Sequence, residues 1–181
     1  MARPAHPRWP IAAIAALIGT ACTASTTAEL VDIAGTGAQG RRATVSEVVD
    51  GDTVELRFGS GPTERARILG IDTPETVHPN RPVECFGPEA STRAGELIPP
   101  GTEVAVQRDE EARDRYGRLL VYVWRADDGL FFNQAMVAEG YAETLSIAPN
   151  NAFRVELSAA AAEARAAGAG LWSACSEEGE P

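Results

Sequence analysis

The chain has 181 residues, 44% hydrophobic and 23% charged, with 17 Gly and 12 Pro. That suits one domain of ordinary size with tails, is too short for two sizeable cores, and excludes wholesale disorder. All 16 cationic side chains are Arg, which rules out Schiff-base and P-loop lysines, and the net charge of -10 argues against a protein that coats nucleic acid through a basic surface.

The N-terminus reads as export machinery. Arg3 and Arg8 precede an unbroken apolar run from Ile11 to Ile18, followed by Gly19, Thr20, Ala21 and Cys22. The run is too short to span a bilayer but fits the core of a signal peptide. Small residues before Cys22 resemble a bacterial lipobox, so residues 1–22 are read as a lipoprotein-type leader with Cys22 as the lipidated residue. Cleavage after Ala28, releasing a free secreted protein, is the alternative. Residues 23–42, rich in Thr, Ala and Gly, read as a flexible tether. Without residues 1–22 the chain carries 14 Arg against 26 acids and retains two cysteines, Cys85 and Cys175. In an oxidising compartment these are expected to pair, the alternative being two free buried thiols.

Folded structure is expected over 43–175. Ala43 to Val49 and Thr53 to Phe58 are strand-like and are separated by the turn Asp50-Gly51-Asp52. After a turn at Gly59–Pro62, Glu64 to Ile71 alternates as a third strand, and a Pro-rich loop runs from Thr73 to Pro88. Helical stretches are expected at Glu89–Ile98, Phe132–Glu139 and Ala152–Ala167, with strands at Glu103–Arg108 and Leu119–Trp124. Asp127-Asp128-Gly129 reads as a hairpin turn, Tyr122, Trp124, Phe131 and Phe132 as core, and 176–181 as an acidic tail. Five short strands with interspersed helices suggest an α+β protein built on a five-stranded OB-type barrel capped by three helices; periodicity alone leaves a β-sandwich open.

Chemistry concentrates at three segments: Asp50-Gly51-Asp52-Thr53, then Arg67 followed by Asp72-Thr73-Pro74-Glu75, then Asp114-Arg115-Tyr116-Gly117-Arg118. Carboxylates at strand ends can gather as hard oxygen ligands for Ca2+, and two arginines can clamp a phosphate. With His6 in the leader and His78 alone in the remainder, a carboxylate must serve as any general base.

These segments resemble the signature segments of the staphylococcal nuclease (thermonuclease) family, together with Phe86-Gly87-Pro88-Glu89-Ala90, Pro149-Asn150-Asn151 and Gly170-Leu171-Trp172-Ser173. The resemblance implies an OB barrel with three helices and hydrolysis of DNA or RNA that leaves 3′-phosphate ends. It implies that Asp52 and Asp72 bind Ca2+ with the Thr73 carbonyl, that Glu75 is the general base, and that Arg67 and Arg118 hold the scissile phosphate. Arg81 and Arg115 stand where lysines line the groove of the best-known member, and Tyr116 is a base contact. Leu145 and Ile147 fall where that member carries two nucleotide-flanking tyrosines, so weaker affinity or altered preference is expected. The chain is expected to act as a monomer, and the rival reading is a non-catalytic OB module that binds nucleic acid or protein, because fold alone does not give function.

Overall fold

The computed structural model describes residues 30–33, 39–77 and 82–175. The leader with Cys22, the loop residues His78 and Arg81, and the acidic tail lie outside the described residues.

Five strands close into a barrel: β2 (Gln39–Val48), β3 (Thr53–Arg57), β4 (Thr63–Ile68), β6 (Glu103–Gln107) and β7 (Leu119–Arg125). Their order is β2-β3-β4-β7-β6, with β6 pairing back onto β2, so the sheet has no open edge along that ring. The β4–β7 pair is parallel and the other ladders are antiparallel. Closure follows from the alternation of side chains. Val54 and Leu56 of β3, Ala66 and Ile68 of β4 and Val104 of β6 point inward and are buried, while Arg57 and Arg65 point out. This is the α+β, OB-type architecture anticipated from the pattern, and a sandwich is not formed.

The third strand differs from its sequence reading. It does not run unbroken to Ile71: β4 ends at Ile68, and Gly70–Asp72 forms a separate β5 that pairs with β8 (Glu143–Leu145). The chain bends at Leu69-Gly70, where Gly70 adopts φ 77°, a left-handed conformation that glycine tolerates without steric cost. The backbone N–H of Leu69 still bonds Val121 O at 2.8 Å, and its carbonyl accepts from the Asn133 side-chain amide at 2.7 Å. Alternation of Arg and apolar residues cannot reveal such a bend, because both halves keep a strand period.

A second difference lies in the stretch read as a tether. Leu30–Asp32 forms β1, which pairs with Gln39–Arg41, and Ile33 is buried beside Leu69, Ala105, Tyr122 and Trp124. A three-residue strand has too little pattern to be visible alone and forms on the edge that β2 supplies.

Helix α1 (Gly87–Leu97), α2 (Phe132–Ala138) and α3 (Arg154–Ala167) pack against the barrel, and a single further turn, α4 (Leu171–Ala174), follows. Ala90, Ala94, Phe132, Met136, Val137 and Leu157 extend the barrel core. The fully buried Asn133 locks α2 in place by accepting from Val123 N while donating to Leu69 O. Trp124 stacks on Phe131 at 4.4 Å and meets Phe153 edge-on, so these aromatics are core. Trp172 packs under the Arg165 guanidinium at 4.1 Å. A disulfide joins Cys85 to Cys175 and ties the segment before α1 to the end of α4.

The α2 terminus meets the α3–α4 junction backbone to backbone. A Cβ on Gly140 (φ 76°) would lie 2.1 Å from Ala169 O, whereas one on Gly59 (φ 57°) would meet nothing. Gly140→Ala is expected to cost on the order of 3 kcal/mol, against about 1 kcal/mol for Gly59→Ala, whose cost is the left-handed backbone alone. Urea unfolding of the two variants checks this, and equal midpoints would contradict the packing.

Candidate active site

The Asp50-Gly51-Asp52 turn closes the β2–β3 hairpin and packs directly on Thr73. A Cβ at Gly51 would fall 2.6 Å from the Thr73 methyl, so glycine is required by the approach of the two loops. Asp50 accepts from Asp52 N at 3.0 Å, the usual way an Asp stabilises its own turn. Asp52 is buried, and both of its carboxylate oxygens have partners. Oδ1 accepts from the Thr53 hydroxyl, and Oδ2 accepts from Thr73 N at 3.1 Å and the Thr73 hydroxyl at 3.3 Å.

Arg67, the penultimate residue of β4, lies at the centre. Its Nη2 is 3.0 Å from Asp52 Oδ2 and donates to Asp72 Oδ1 at 2.7 Å. Its Nη1 donates to Ile68 O and Ile71 O, spanning the β4–β5 bend. The Arg67 and Asp52 side chains are 14% and 11% exposed, so that pair is largely desolvated, whereas Asp72 reaches the same guanidinium from an exposed position. Two carboxylate oxygens thus touch one nitrogen, and the bend that sequence periodicity missed is what brings Asp72 back to Asp52.

The acids around this point repel each other. Burial, and then the Asp52 charge, pushes the Asp50 carboxyl up to about 6. Asp72 is also raised, by burial first and then by Asp52, Glu84 and Glu143, with Arg67 opposing. Excess negative charge with hard oxygen donors suits a divalent cation such as Ca2+. No group of three His, Cys, Asp or Glu side chains is gathered to hold a metal among the described residues. Asp52, Asp72 and a main-chain oxygen fall short of a full protein cage, and an ion held there would complete its shell with waters.

The second arginine enters from the β6–β7 connection. Arg118 Nε donates to Asp114 Oδ2 at 2.7 Å, and Asp114 Oδ1 accepts from Tyr116 N and Arg118 N. Partial burial pushes the Asp114 carboxyl up, but its bonds from Arg118 outweigh this and hold it below the ordinary carboxylate range. The Asp-x-x-Gly turn is a local signal for this role, which the sequence reading left inside a motif without assigning it.

Arg67 and Arg118 line one cleft of about 490 Å3, together with Arg115, Tyr116, Leu145 and Ile147. Tyr116 is 69% exposed and lies beneath the Arg115 guanidinium at 4.7 Å, with Arg118 at 5.7 Å. Leu145 and Ile147 add exposed aliphatic surface to the same cleft. Asn150, buried and bonded to both Glu111 N and Glu111 O, fixes the turn that carries Ile147. Glu75 stands beyond β5 with its carboxylate turned onto its own loop, where Oε1 accepts from Thr76 N and Val77 N. The structure thus gathers Asp52, Arg67, Asp72 and Thr73 by direct contact and sets Arg118, Arg115 and Tyr116 on the adjoining cleft. Glu75 is held just outside this cluster, and Arg81 lies outside the described residues.

The site thus sets paired acids around a half-buried arginine at one end of an OB barrel, with a second arginine lining the same cleft. The family described as "Staphylococcal nuclease homologue" matches residues 65–174. The chain is 36% identical over 137 residues to a thermonuclease of Staphylococcus intermedius, covering 76% of this chain and 79% of that one. It is 35% identical over 129 residues to a thermonuclease of Staphylococcus hyicus, covering 71% and 74%. It is also 33% identical over 132 residues to Endonuclease YncB of Bacillus subtilis (strain 168), covering 72% and 61%. The chain belongs to the staphylococcal nuclease family.

The raised Asp50 carboxyl has a consequence for stability. Its folded value of about 6 lies above its ordinary 3.8, so the folded state binds the proton more tightly than the unfolded chain does. The associated stability is fully present below about pH 4 and is lost as pH rises through about 6. Metal-free protein should therefore melt at a higher temperature at about pH 5 than at about pH 7, and Asp50→Asn should remove most of the difference. Calorimetry in chelator measures this, and a melting temperature that rises with pH would refute it.

Proposed function

We propose that this protein is an exported, Ca2+-dependent nuclease that hydrolyses phosphodiester bonds of DNA or RNA and leaves 3′-phosphate ends. The single observation that carries this reading is the half-buried Arg67, held by Asp52 and Asp72 beside a cleft that it shares with Arg118. Membership of the family supports the same chemistry.

Asp52, Asp72 and the Thr73 carbonyl are the residues that would hold the ion, which supplies positive charge to polarise the phosphoryl group and orient the nucleophile. Arg67 and Arg118 bind the scissile phosphate and favour the more anionic transition state, with planar donors that suit two phosphate oxygens at once. Their present carboxylate partners hold both guanidinium groups in place before substrate arrives. Glu75 accepts the proton of the attacking water, a role that falls to Oε2 while Oε1 takes the two backbone donors. Arg115, Tyr116 and Arg81 serve the flanking nucleotides. The aliphatic pair Leu145 and Ile147 offers bases apolar contact in place of aromatic stacking, which is worth about 1–3 kcal/mol per base.

Export rests on the leader pattern over residues 1–22, with either a lipid anchor at Cys22 or release after Ala28. A Cys85–Cys175 bridge is the state that an oxidising compartment favours. Residues 43–175 would act as the catalytic domain of a monomer. One observation favours the second reading, a binding module without turnover: the Glu75 carboxylate is engaged with its own loop.

Cleavage of single-stranded DNA, duplex DNA and RNA at low salt, with Ca2+ or chelator, separates the two readings. Arg67→Ala and Glu75→Gln should each lower kcat by on the order of 10²-fold or more while circular dichroism stays unchanged. Folded protein that cleaves none of the three substrates would leave the binding module. Activity that survives in chelator would remove the metal from the reaction.

A further inference from the structure

The loop that carries Glu75 is not anchored by the barrel ladder, since β5 ends at Asp72. Its support comes from the segment Glu84–Gly87. Glu84 N donates to Glu75 O at 2.9 Å, and Glu84 Oε2 accepts from Glu75 N at 2.9 Å, so one residue grips both backbone groups of the other. Gly87 packs against the same loop: a Cβ there would lie 3.0 Å from Glu75 O and 3.1 Å from Pro74 O. Thr76 Oγ1 lies 3.3 Å from Ser91 Oγ on α1.

This supporting segment is itself exposed at Glu84, where water competes for the side-chain bond. What holds it is the next residue. Cys85 is covalently joined to Cys175 at the end of α4, and Phe86, in a left-handed conformation at φ 67°, stacks on Tyr141 at 5.3 Å. A non-glycine residue in that region persists only where its surroundings over-determine it. The disulfide and the stacked ring together do so, and they set the direction in which Glu84 reaches Glu75.

We propose that Glu84 is a positioning residue for Glu75 and that the Cys85–Cys175 bridge holds Glu84 in register, so that turnover by the folded protein is sensitive to thiol reductants. The proposal rests on the reading of Glu75 as general base. A base displaced by about 1 Å costs on the order of 10²-fold in rate, so a partial loosening acts on kcat before it acts on binding. Glu84 also adds negative charge near Asp72, and the choice of variant separates that effect from the hydrogen bond.

Steady-state kinetics on a short single-stranded oligonucleotide, at saturating Ca2+ and with the bridge intact, test this. Glu84→Ala should lower kcat about tenfold or more with KM changed less than about threefold, and Glu84→Gln, which keeps a carbonyl acceptor but drops the charge, should recover most of the loss. Wild-type kcat in Glu84→Ala would overturn the proposal, and so would a Gln variant as slow as the Ala variant, because charge rather than positioning would then be the cause. Dithiothreitol should lower kcat of the wild-type protein while far-ultraviolet circular dichroism at the assay temperature stays folded. A Cys85→Ser/Cys175→Ser variant should be equally slow and indifferent to reductant. Full kcat in folded, reduced protein would overturn the role of the bridge. If the bridgeless chain unfolds, amide hydrogen exchange at Glu75 in the bridged Glu84→Ala variant decides, with faster exchange expected and wild-type protection refuting. Glu75→Gln runs alongside: its retained activity would remove the base assignment itself, whereas its loss beside a silent Glu84→Ala removes the positioning role alone.

Discussion

The Arg67 guanidinium is the interaction on which the rest of this structure depends. It bonds two main-chain carbonyls across the bend between β4 and β5 and two carboxylates from different loops. Each partner would be costly to leave unpaired in a partly desolvated site. The bend exists because Gly70 permits it and Leu69 is pinned from both sides, by Val121 O and the Asn133 amide. Arginine suits the position because its planar fork can satisfy four acceptors in fixed directions, which a lysine ammonium cannot do. Fold and site are therefore coupled at one side chain: the cation that closes the bend also lines the cleft.

Around this cation the electrostatics run the other way. The chain carries net charge -10, and burial with mutual repulsion raises the carboxyls of Asp50 and Asp72. A polyanionic substrate meets such a surface unfavourably unless positive charge is supplied locally. Arg67 and Arg118, both held in place by acids, line the cleft together with Arg115. Under the proposed function a divalent ion on the hard-oxygen donors would add positive charge, so affinity would rest on a few oriented groups rather than on a basic face, with Leu145 and Ile147 adding apolar area without aromatic stacking.

The supports of the site come from far along the chain. Asn150 holds the Ile147 turn to the β6–β7 connection, and Asn133 holds α2 to the bend. Gly140 and Gly170 let two backbones touch so that α4 reaches the position from which Cys175 bridges to Cys85. The loop with Glu75 is the most remote from the barrel ladder and leans on this chain of contacts through Glu84. A closed barrel gives rigid ends to its strands, but loops beyond those ends take their geometry from whatever packs behind them.

Much of this was legible from the residues in order. Strand alternation in β3, the apolar run of β7, turn chemistry at Asp50-Gly51-Asp52, the helix stop at Gly168 and the three charged segments all act through local stereochemistry or short spacing, which a linear pattern records. The oxidised pairing of Cys85 with Cys175 was also expected, since only two cysteines follow the leader. The bend at Leu69-Gly70, the small strand β1 in a stretch read as tether, and the hold of Glu84 on Glu75 were not legible. Each depends on a partner supplied from elsewhere: Asn133 and β8 for the bend, the free edge of β2 for β1, and the disulfide for Glu84. Side-chain type and period account for the chemical groups present and for the secondary structure that most of them adopt. Which carboxylates share one arginine, and which residue grips the Glu75 backbone, come from packing, because hydrogen bonds between residues distant in sequence are satisfied in space and leave no local trace.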